Sequence, residues 1–508
     1  MGKFSLALTG NKVWILIVAG ILSFQAALVL MHEPWLDEWQ SLQLSVQSPT
    51  VGQLFENLHY EGHPPLYYLI LRGAARIVPL PWVLVFVQLP VSLLIQSIIL
   101  FKSFPQRYIR VLFSLSAFVI IDYGIIARSL SVGVLLFLIA WAFRKKRWAW
   151  VAIIALPSVD FLFGVLSLVC LVIYWQERNW SWPGFAFWMV SALAAALSVV
   201  PAPDVAPALP PSSNLIITAF VFLAYISQLL LPLPISENGL AWNTTFPVVI
   251  SVVGGFIAIV FCYLNQPKIQ YHKILLICFL LICFIFSLFV YVLPIRHLSI
   301  IALLFIALIW REQEMGLVVS RYFSAWLGMS AICGIFLGIV NLIYPFDTAA
   351  EAARWIRQSG LTHKHWVSYP DSRAQGIAML NNMQFTRIGK VCQQDFIRWD
   401  NEYSPKNPVD AIRDIEKLVD KYGRLYLVSD KDIRIFRVYN KKIAFFKSGF
   451  NGQKYYFYEL GHIAPRLESF PEECQTGRFR FAAWSLQEQD IRHNIRQRLR
   501  KFLGVNQS

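Results

Sequence analysis

The sequence predicts a polytopic α-helical membrane protein with a C-terminal α/β domain outside the membrane. Three observations carry that expectation. Of 508 residues, 56% are hydrophobic and only 15% charged, with a mean hydropathy of +0.52, outside the range of soluble globular chains. Apolar runs near 20 residues, such as Asn11 to Met31 and Lys273 to Pro294, match the helix length that crosses a hydrocarbon core of about 30 Å. From about Asp347 the composition turns soluble, with amphipathic helices alternating with short strands.

The first apolar run has no small-residue cleavage site before its polar flank, so it reads as a retained first helix and not as a signal peptide. Lys and Arg in short loops mark the cytoplasmic side: Lys3, Lys12, Lys102, Arg107, Arg110, the run Arg144 to Arg147, Arg178, Lys268, Lys273 and Arg321. With these inside, the expected crossings are 12–31, 82–101, 108–124, 128–143, 148–158, 160–175, 183–200, 246–264, 273–293, 297–310 and 323–344. These eleven crossings leave the N-terminus in the cytoplasm, a first outer loop over 32–81, and the chain after Tyr344 outside. Segments 65–80, with Arg72 and Arg76, and 215–234 would put the count out of phase, so both are expected to lie in the outer interface without crossing. The Pro-rich "PAPDVAPALPPSSN" is then an external loop leading to the second of them.

The chain divides into a membrane part, 1–345, and a soluble part, 346–508. In the latter, "TAAEAARWIRQSG" reads as an amphipathic helix ended by Gly360, "HWVSYP" as a strand and "SRAQGIAMLNNM" as a helix. "NPVDAIRDIEKLVDKYG" with "RLYLVSD" is a further helix–strand pair. The closing "DIRHNIRQRLRKFLG" sets Ile491, Ile495, Leu499 and Phe502 on one helical face among basic residues. That face suits anionic lipid or packing on its own domain. No internal repeat is evident. The net charge of +15 is spread over short loops and this tail, a positive-inside pattern and not a nucleic-acid stripe. No two cysteines form a CxxC; Cys170, Cys262, Cys278, Cys283 and Cys333 lie in apolar segments as packing residues. Cys392 and Cys474 fall in the polar region, where a disulfide is open to them in an oxidising compartment.

On this topology the unusual polar residues gather at the outer face. Asp37 and Glu38 follow the first crossing; His59, Glu61 and His63 share the same loop; Asp122 and Arg128 flank the turn between the third and fourth crossings; Arg296 and His297 open the tenth. Ionisable groups at membrane depth are costly and usually functional. Each also has an ordinary reading. Glu38 is an interfacial carboxylate, His63 before two prolines caps the next helix, Arg128 and Arg296 snorkel, and Asp122 is an ion-pair partner. Trp35, Trp39, Tyr67 and Tyr68 form an aromatic belt as readily as a sugar platform. The chemistry that suits the set is group transfer from a lipid phosphate: a carboxylate as general base, Arg and His holding the departing phosphate. A divalent cation bridging carboxylate and phosphate is also open, with Glu38 and His63 as candidate ligands. No P-loop, Rossmann fingerprint or HExxH is present, so a soluble nucleotide-sugar has no visible cradle.

At these residues the sequence resembles the membrane-embedded GT-C glycosyltransferases, in the branch of protein O-mannosyltransferases, aminoarabinose transferases of lipid A and lipopolysaccharide-core sugar transferases. "WLDEWQS" looks like their first-loop Asp-Glu motif, and "GHPPLYYLILR" resembles their His/Lys-Pro-Pro-Leu-Tyr-Tyr segment. "DYGIIARSLSVGVLLFLIA" and "RHLSIIALLFIAL" are similar to two later arginine-led helices. The likeness spans roughly 10–345. It implies a GT-C fold and transfer of a sugar from a polyprenyl-phosphate donor to a lipid, glycan or protein acceptor, with inversion. It places the chain in the cell envelope, at a bacterial inner membrane. It implies Asp37 as catalytic base with Glu38 beside it, His63 near the phosphate or a metal, and Arg128 and Arg296 as phosphate contacts. Tyr67, Asp122 and His297, from the same outer cluster, are further candidate substrate-binding residues. The family's acidic residue two positions before the first arginine is Ile126 here, its aromatic two positions after is Leu130, and the tyrosine after the late arginine is His297. A lipid-linked sugar flippase is the competing reading, favoured by inverted repeats and broken mid-membrane helices; a non-catalytic scaffold is a third.

Overall fold

The computed structural model describes residues 11–205, 214–233, 235–236, 239–240, 248–394, 396–401, 408–433, 435, 438–447, 450, 452–461 and 487–505. Among the described residues four helices are long and apolar enough to cross a membrane: Asn11–Met31, Val83–Lys102, Gln270–Phe289 and Arg321–Ile343. Each coincides with an expected crossing. Shorter apolar helices join them at Ser129–Ala142, Phe161–Gln176, Trp182–Ser198, Leu215–Leu230 and Val248–Leu264. The chain is an integral membrane protein. At its centre runs Ile295–Glu314, every residue of which from Leu298 to Trp310 is buried; a helix apolar all round belongs inside a bundle.

Two expected crossings are interrupted. Over 108–124 the chain forms a helix only to Ser114, breaks, and makes a π-helical turn at Phe118–Asp122. Over 148–158 it forms the six-residue helix Trp150–Ala155 and a tight turn, about 9 Å of helix where about 30 Å is needed. Pro157 follows within that turn, where it removes a backbone donor. Segment 65–80 yields the nine-residue helix Leu66–Ala74, too short to cross, as expected. Segment 215–234 departs from the expectation of an interface-lying helix. Leu215–Leu230 buries Phe222, Ile226 and Leu229, and the Trp326 indole donates to the Leu229 carbonyl at 2.8 Å.

That helix packs lengthwise on Val248–Leu264 through glycine. A Cβ on Gly255 would come within 2.1 Å of the Leu223 carbonyl oxygen, the close backbone approach small residues allow between membrane helices. Gly255→Val is therefore expected to destabilise the protein by about 1–3 kcal/mol through overpacking, read as a lower thermal unfolding midpoint in detergent. An unchanged midpoint would contradict the packing. At the opposite end of the bundle from the first-loop residues, Arg144 meets Glu177 at 2.8 Å and Arg311 meets Glu177 at 2.5 Å, with Glu314 bonded to Arg144 as well. One basic-loop residue thus ties helix ends together.

The soluble part carries a six-stranded mixed sheet, in spatial order Gln393–Gln394, Phe385–Thr386, Trp366–Tyr369, Leu425–Ser429, Lys454–Gly461 and Tyr439–Lys447. Trp366–Tyr369 runs parallel to both neighbours, and the remaining pairs are antiparallel. The helices Ala349–Gln358, Gln375–Asn381 and Pro408–Tyr422 fall where their amphipathic periods placed them. Gly360, at φ 67°, follows the first. The hairpin of the last two strands was not anticipated, although the aromatic "KYYFYELG" has strand character. Cys392 is disulfide-bonded, the state an oxidising compartment maintains; Cys474 lies outside the described residues. The other five cysteines are free.

The two parts are joined through the helix Leu36–Gln47. The Gln40 amide donates to the Ile397 carbonyl at 2.7 Å and accepts from its N–H at 2.8 Å. Gln43 donates to the Gln375 carbonyl at 3.0 Å. A Cβ on Gly376 would lie 2.9 Å from the Trp39 ring, so the domain's second helix sits directly on the first-loop helix.

Candidate active site

The helix Leu36–Gln47 carries both carboxylates of the Asp-Glu pair in its first turn, where the helix dipole favours negative charge. They then diverge. Glu38, at the third helical position, accepts from the Trp35 backbone N–H at 3.0 Å, half of a capping box. It also bonds His32 Nε2 at 2.8 Å and accepts from the Ala127 N–H at 2.6 Å, and it has no exposed surface. Glu38 is a clamp between the first loop and the 123–128 turn. Asp37, one residue earlier, points the other way and meets Arg296 Nη1 at 2.5 Å, with 20% and 15% of the two side chains exposed.

The far end of the same helix is also held. Arg72 donates to the carbonyls of Ser45 and Ser48 at 2.9 and 2.7 Å and to that of Pro49 at 3.1 Å, satisfying acceptors a helix C-terminus leaves open. Its charge does structural work. Tyr67, expected to line the substrate, is turned inward: its hydroxyl donates to the Ala127 carbonyl at 2.5 Å and it is 1% exposed. Trp35, Trp39 and Tyr68 are buried too, so these aromatics form no lipid-facing belt.

Arg128 caps the helix Ser129–Ala142 and lies beside Asp37. It donates to the Asp37 carbonyl and the Ser41 hydroxyl, each at 2.6 Å, and its second terminal nitrogen lies 3.3 Å from His63 Nε2. A guanidinium has only donors, so Nε2 must accept, and Nδ1–H donates to Asp160 at 3.0 Å. This fixes the His63 tautomer. Asp160 in turn caps the helix Phe161–Gln176 through the Leu162 N–H at 3.0 Å. Asp122, at the end of the π-turn, lies beside Ser299 and Arg296. His297 is within electrostatic reach of Asp160 and His63; its buried Nδ1 has no hydrogen-bond partner among the described residues.

The structure thus brings Asp37, His63, Arg128, Arg296, His297 and Asp122 to one end of the bundle, and withdraws Glu38 and Tyr67 into its supports. It adds Asp160 and Ser41, which the sequence did not single out, and draws Glu61 of the outer-face set to the same place. Asp160 sits in the "PSVD" break, and that interruption of an apolar run was its signal. Glu61 accepts from the Gln40 amide and senses Arg128, His63 and Asp37. Ser41 lies one turn beyond Asp37 on the same helix face, the i, i+4 spacing. Burial opposes ionisation of Asp37, but the guanidinium groups of Arg296 and Arg128 outweigh it and hold its carboxyl below the ordinary aspartate value. Burial raises Glu61 above the ordinary glutamate value.

The two metal candidates do not fit a cation. Both oxygens of Glu38 are taken by donors, and the free lone pair of His63 faces the Arg128 guanidinium. Among the described residues no group of three or more His, Cys, Asp or Glu is arranged to hold a metal ion.

No protein-family model and no curated protein matches the sequence. Among solved structures, the chain is similar to the crystal structure of ArnT from Cupriavidus metallidurans bound to undecaprenyl phosphate. The identity is 12% and the TM-score 0.46, over 89% of this chain and 98% of that one.

Proposed function

We propose that the protein is a membrane glycosyltransferase that moves a sugar from a polyprenyl-phosphate carrier to a hydroxyl of a lipid, glycan or protein acceptor at the extracytoplasmic face. The observation that carries this reading is a part-exposed carboxylate, Asp37, paired with the Arg296 guanidinium, while the Arg128 guanidinium sits on its backbone carbonyl and beside a tautomer-fixed histidine. In the proposed step Asp37 removes the acceptor proton as the acceptor oxygen attacks the anomeric carbon. The bond from that carbon to the phosphate oxygen breaks, and its electron pair leaves with the phosphate. Arg296 and Arg128 are suited to that departing anion by their forked donors. An incoming phosphate competes with Asp37 for Arg296, and so frees the carboxylate when the donor is bound. Attack from the face opposite the phosphate inverts the anomeric centre. Glu38 acts here as a positioning residue, because its oxygens are occupied. The motifs "WLDEWQS" and "GHPPLYY" support the same reading through their resemblance to GT-C enzymes.

Purified protein supplied with labelled polyprenyl-phosphate sugars and a mixture of acceptors tests the reading. A new glycosidic bond is expected. Movement of the sugar across a bilayer without such a bond would overturn it in favour of transport. The pH profile gives a second check. A base works when ionised, and the arginines lower the pKa of Asp37, so falling pH protonates it only below the ordinary aspartate range. The acid side of kcat/KM is therefore expected to stay flat down to about pH 5. A limb above that point would assign the base to another group, such as Glu61.

A further inference from the structure

The C-terminal helix Gln487–Phe502 is tied to the ends of two membrane-crossing helices. Arg492 Nε donates to the Leu30 carbonyl at 2.8 Å, Arg496 Nη2 to that of Met31 at 2.7 Å, and Arg500 Nε to that of Ile343 at 2.9 Å. Arg496 also reaches the carbonyls of Asn341 and Leu342 at 3.3 and 3.4 Å and pairs with Glu33 at 2.6 Å. Three arginines at i, i+4 and i+8 form one face, and they cap the carbonyls that Asn11–Met31 and Arg321–Ile343 leave open at their C-termini. The helix therefore lies across the level where both crossings leave the apolar layer.

Its second face is apolar and uncovered. Ile491 is 49% exposed, Ile495 47% and Phe502 86%, with Leu499 half-buried between them. These residues lie within about 80° of one another at 100° per residue. On the two capped helices Leu30, Phe336 and Ile339, near their C-terminal ends, are exposed apolar residues too. Arg498 and Lys501 are exposed as well, on the side away from the capping arginines.

We infer that this helix is a bilayer-docking element: Ile491, Ile495, Leu499 and Phe502 enter the boundary between headgroups and acyl chains beside the ends of the two crossings, and Arg498 and Lys501 bind anionic lipid phosphate. The capping arginines hold the helix at interfacial depth, and the apolar face supplies the affinity. Burying four such side chains requires a surface apolar on one side and wet on the other, which the membrane edge provides at this height. The inference does not depend on the reaction proposed above.

Spin labelling of the full chain in liposomes tests it. In a background with the five free cysteines replaced by serine, nitroxides are placed by Ile491→Cys, Ile495→Cys and Phe502→Cys, and on the flank by His493→Cys and Gln497→Cys. An unchanged thermal midpoint verifies the fold of each. In phosphatidylcholine with phosphatidylglycerol, oxygen is expected to relax the first three labels more than a water-soluble nickel complex does, with the ratio reversed at the last two. Labels at 491, 495 and 502 that are open to nickel, or shielded from both reagents by a protein neighbour, overturn the docking. Removing phosphatidylglycerol is expected to make the three labels shallower, and Arg498→Gln with Lys501→Gln to abolish that response. Depth independent of phosphatidylglycerol overturns the anionic-lipid assignment.

Discussion

Asp37→Asn is expected to lower sugar transfer roughly 10²–10⁴-fold, the range that a lost general base accounts for, while the protein remains folded. The amide is nearly isosteric and still offers an acceptor to Arg296. With 20% of the Asp37 side chain exposed, losing its charge leaves no dry, unpaired group. The amide oxygen is too weakly basic to take the acceptor's proton, so kcat falls and the thermal midpoint does not. Transfer of labelled sugar by matched amounts of monodisperse protein is the measurement, and full activity would sink the mechanism. Asp37→Glu separates basicity from placement. It retains a carboxylate one methylene away from its position, and misplacement of about 1 Å in such a site costs on the order of 10²-fold.

The neighbouring carboxylate is expected to behave in the opposite way. Glu38→Ala removes the acceptor for the N–H groups of Trp35 and Ala127 in a place without solvent. Each stranded buried donor costs about 1–3 kcal/mol, and the His32 partner is lost as well. The thermal midpoint in detergent should drop clearly, with the remaining folded protein retaining part of its activity at low temperature. Glu38→Gln keeps one acceptor oxygen and should fall between. A stable, well-folded Glu38→Ala protein with no activity would instead assign Glu38 a direct chemical role. Two adjacent acids therefore separate into one read by rate and one read by stability.

That separation shows where sequence reading stopped. "DEWQS" announces two adjacent carboxylates after the first crossing, but not that they open a helix. Nothing in the string says that Ala127, 89 positions away, donates to Glu38. Asp160 was equally hidden as a partner of His63, since their contact spans 97 positions. Arg72 only argued against a crossing at 65–80; its partners, the carbonyls of Ser45, Ser48 and Pro49, lie more than 20 positions away. Local signals were reliable when the physics was local. The amphipathic helices of the soluble part and the long apolar runs stand where periodicity put them. The expected crossings failed where a short apolar run was compatible with either a span or a broken helix, as at Phe118–Asp122.

By itself the sequence determined that this is a helical membrane protein, that a region of amphipathic helices and strands follows its apolar runs, and that charged residues recur at the ends of those runs. Hydrophobic transfer and helical period depend on neighbours along the chain, so these are legible residue by residue. Only the tertiary structure decided that Asp37 faces Arg296 while Glu38 faces inward, that Tyr67 is a strut, that Leu215–Leu230 belongs to the bundle, and that the terminal arginines cap two distant helices. Each of these turns on which groups, far apart in sequence, the packed chain sets beside one another. Burial makes such pairing obligatory, but only packing selects the partner.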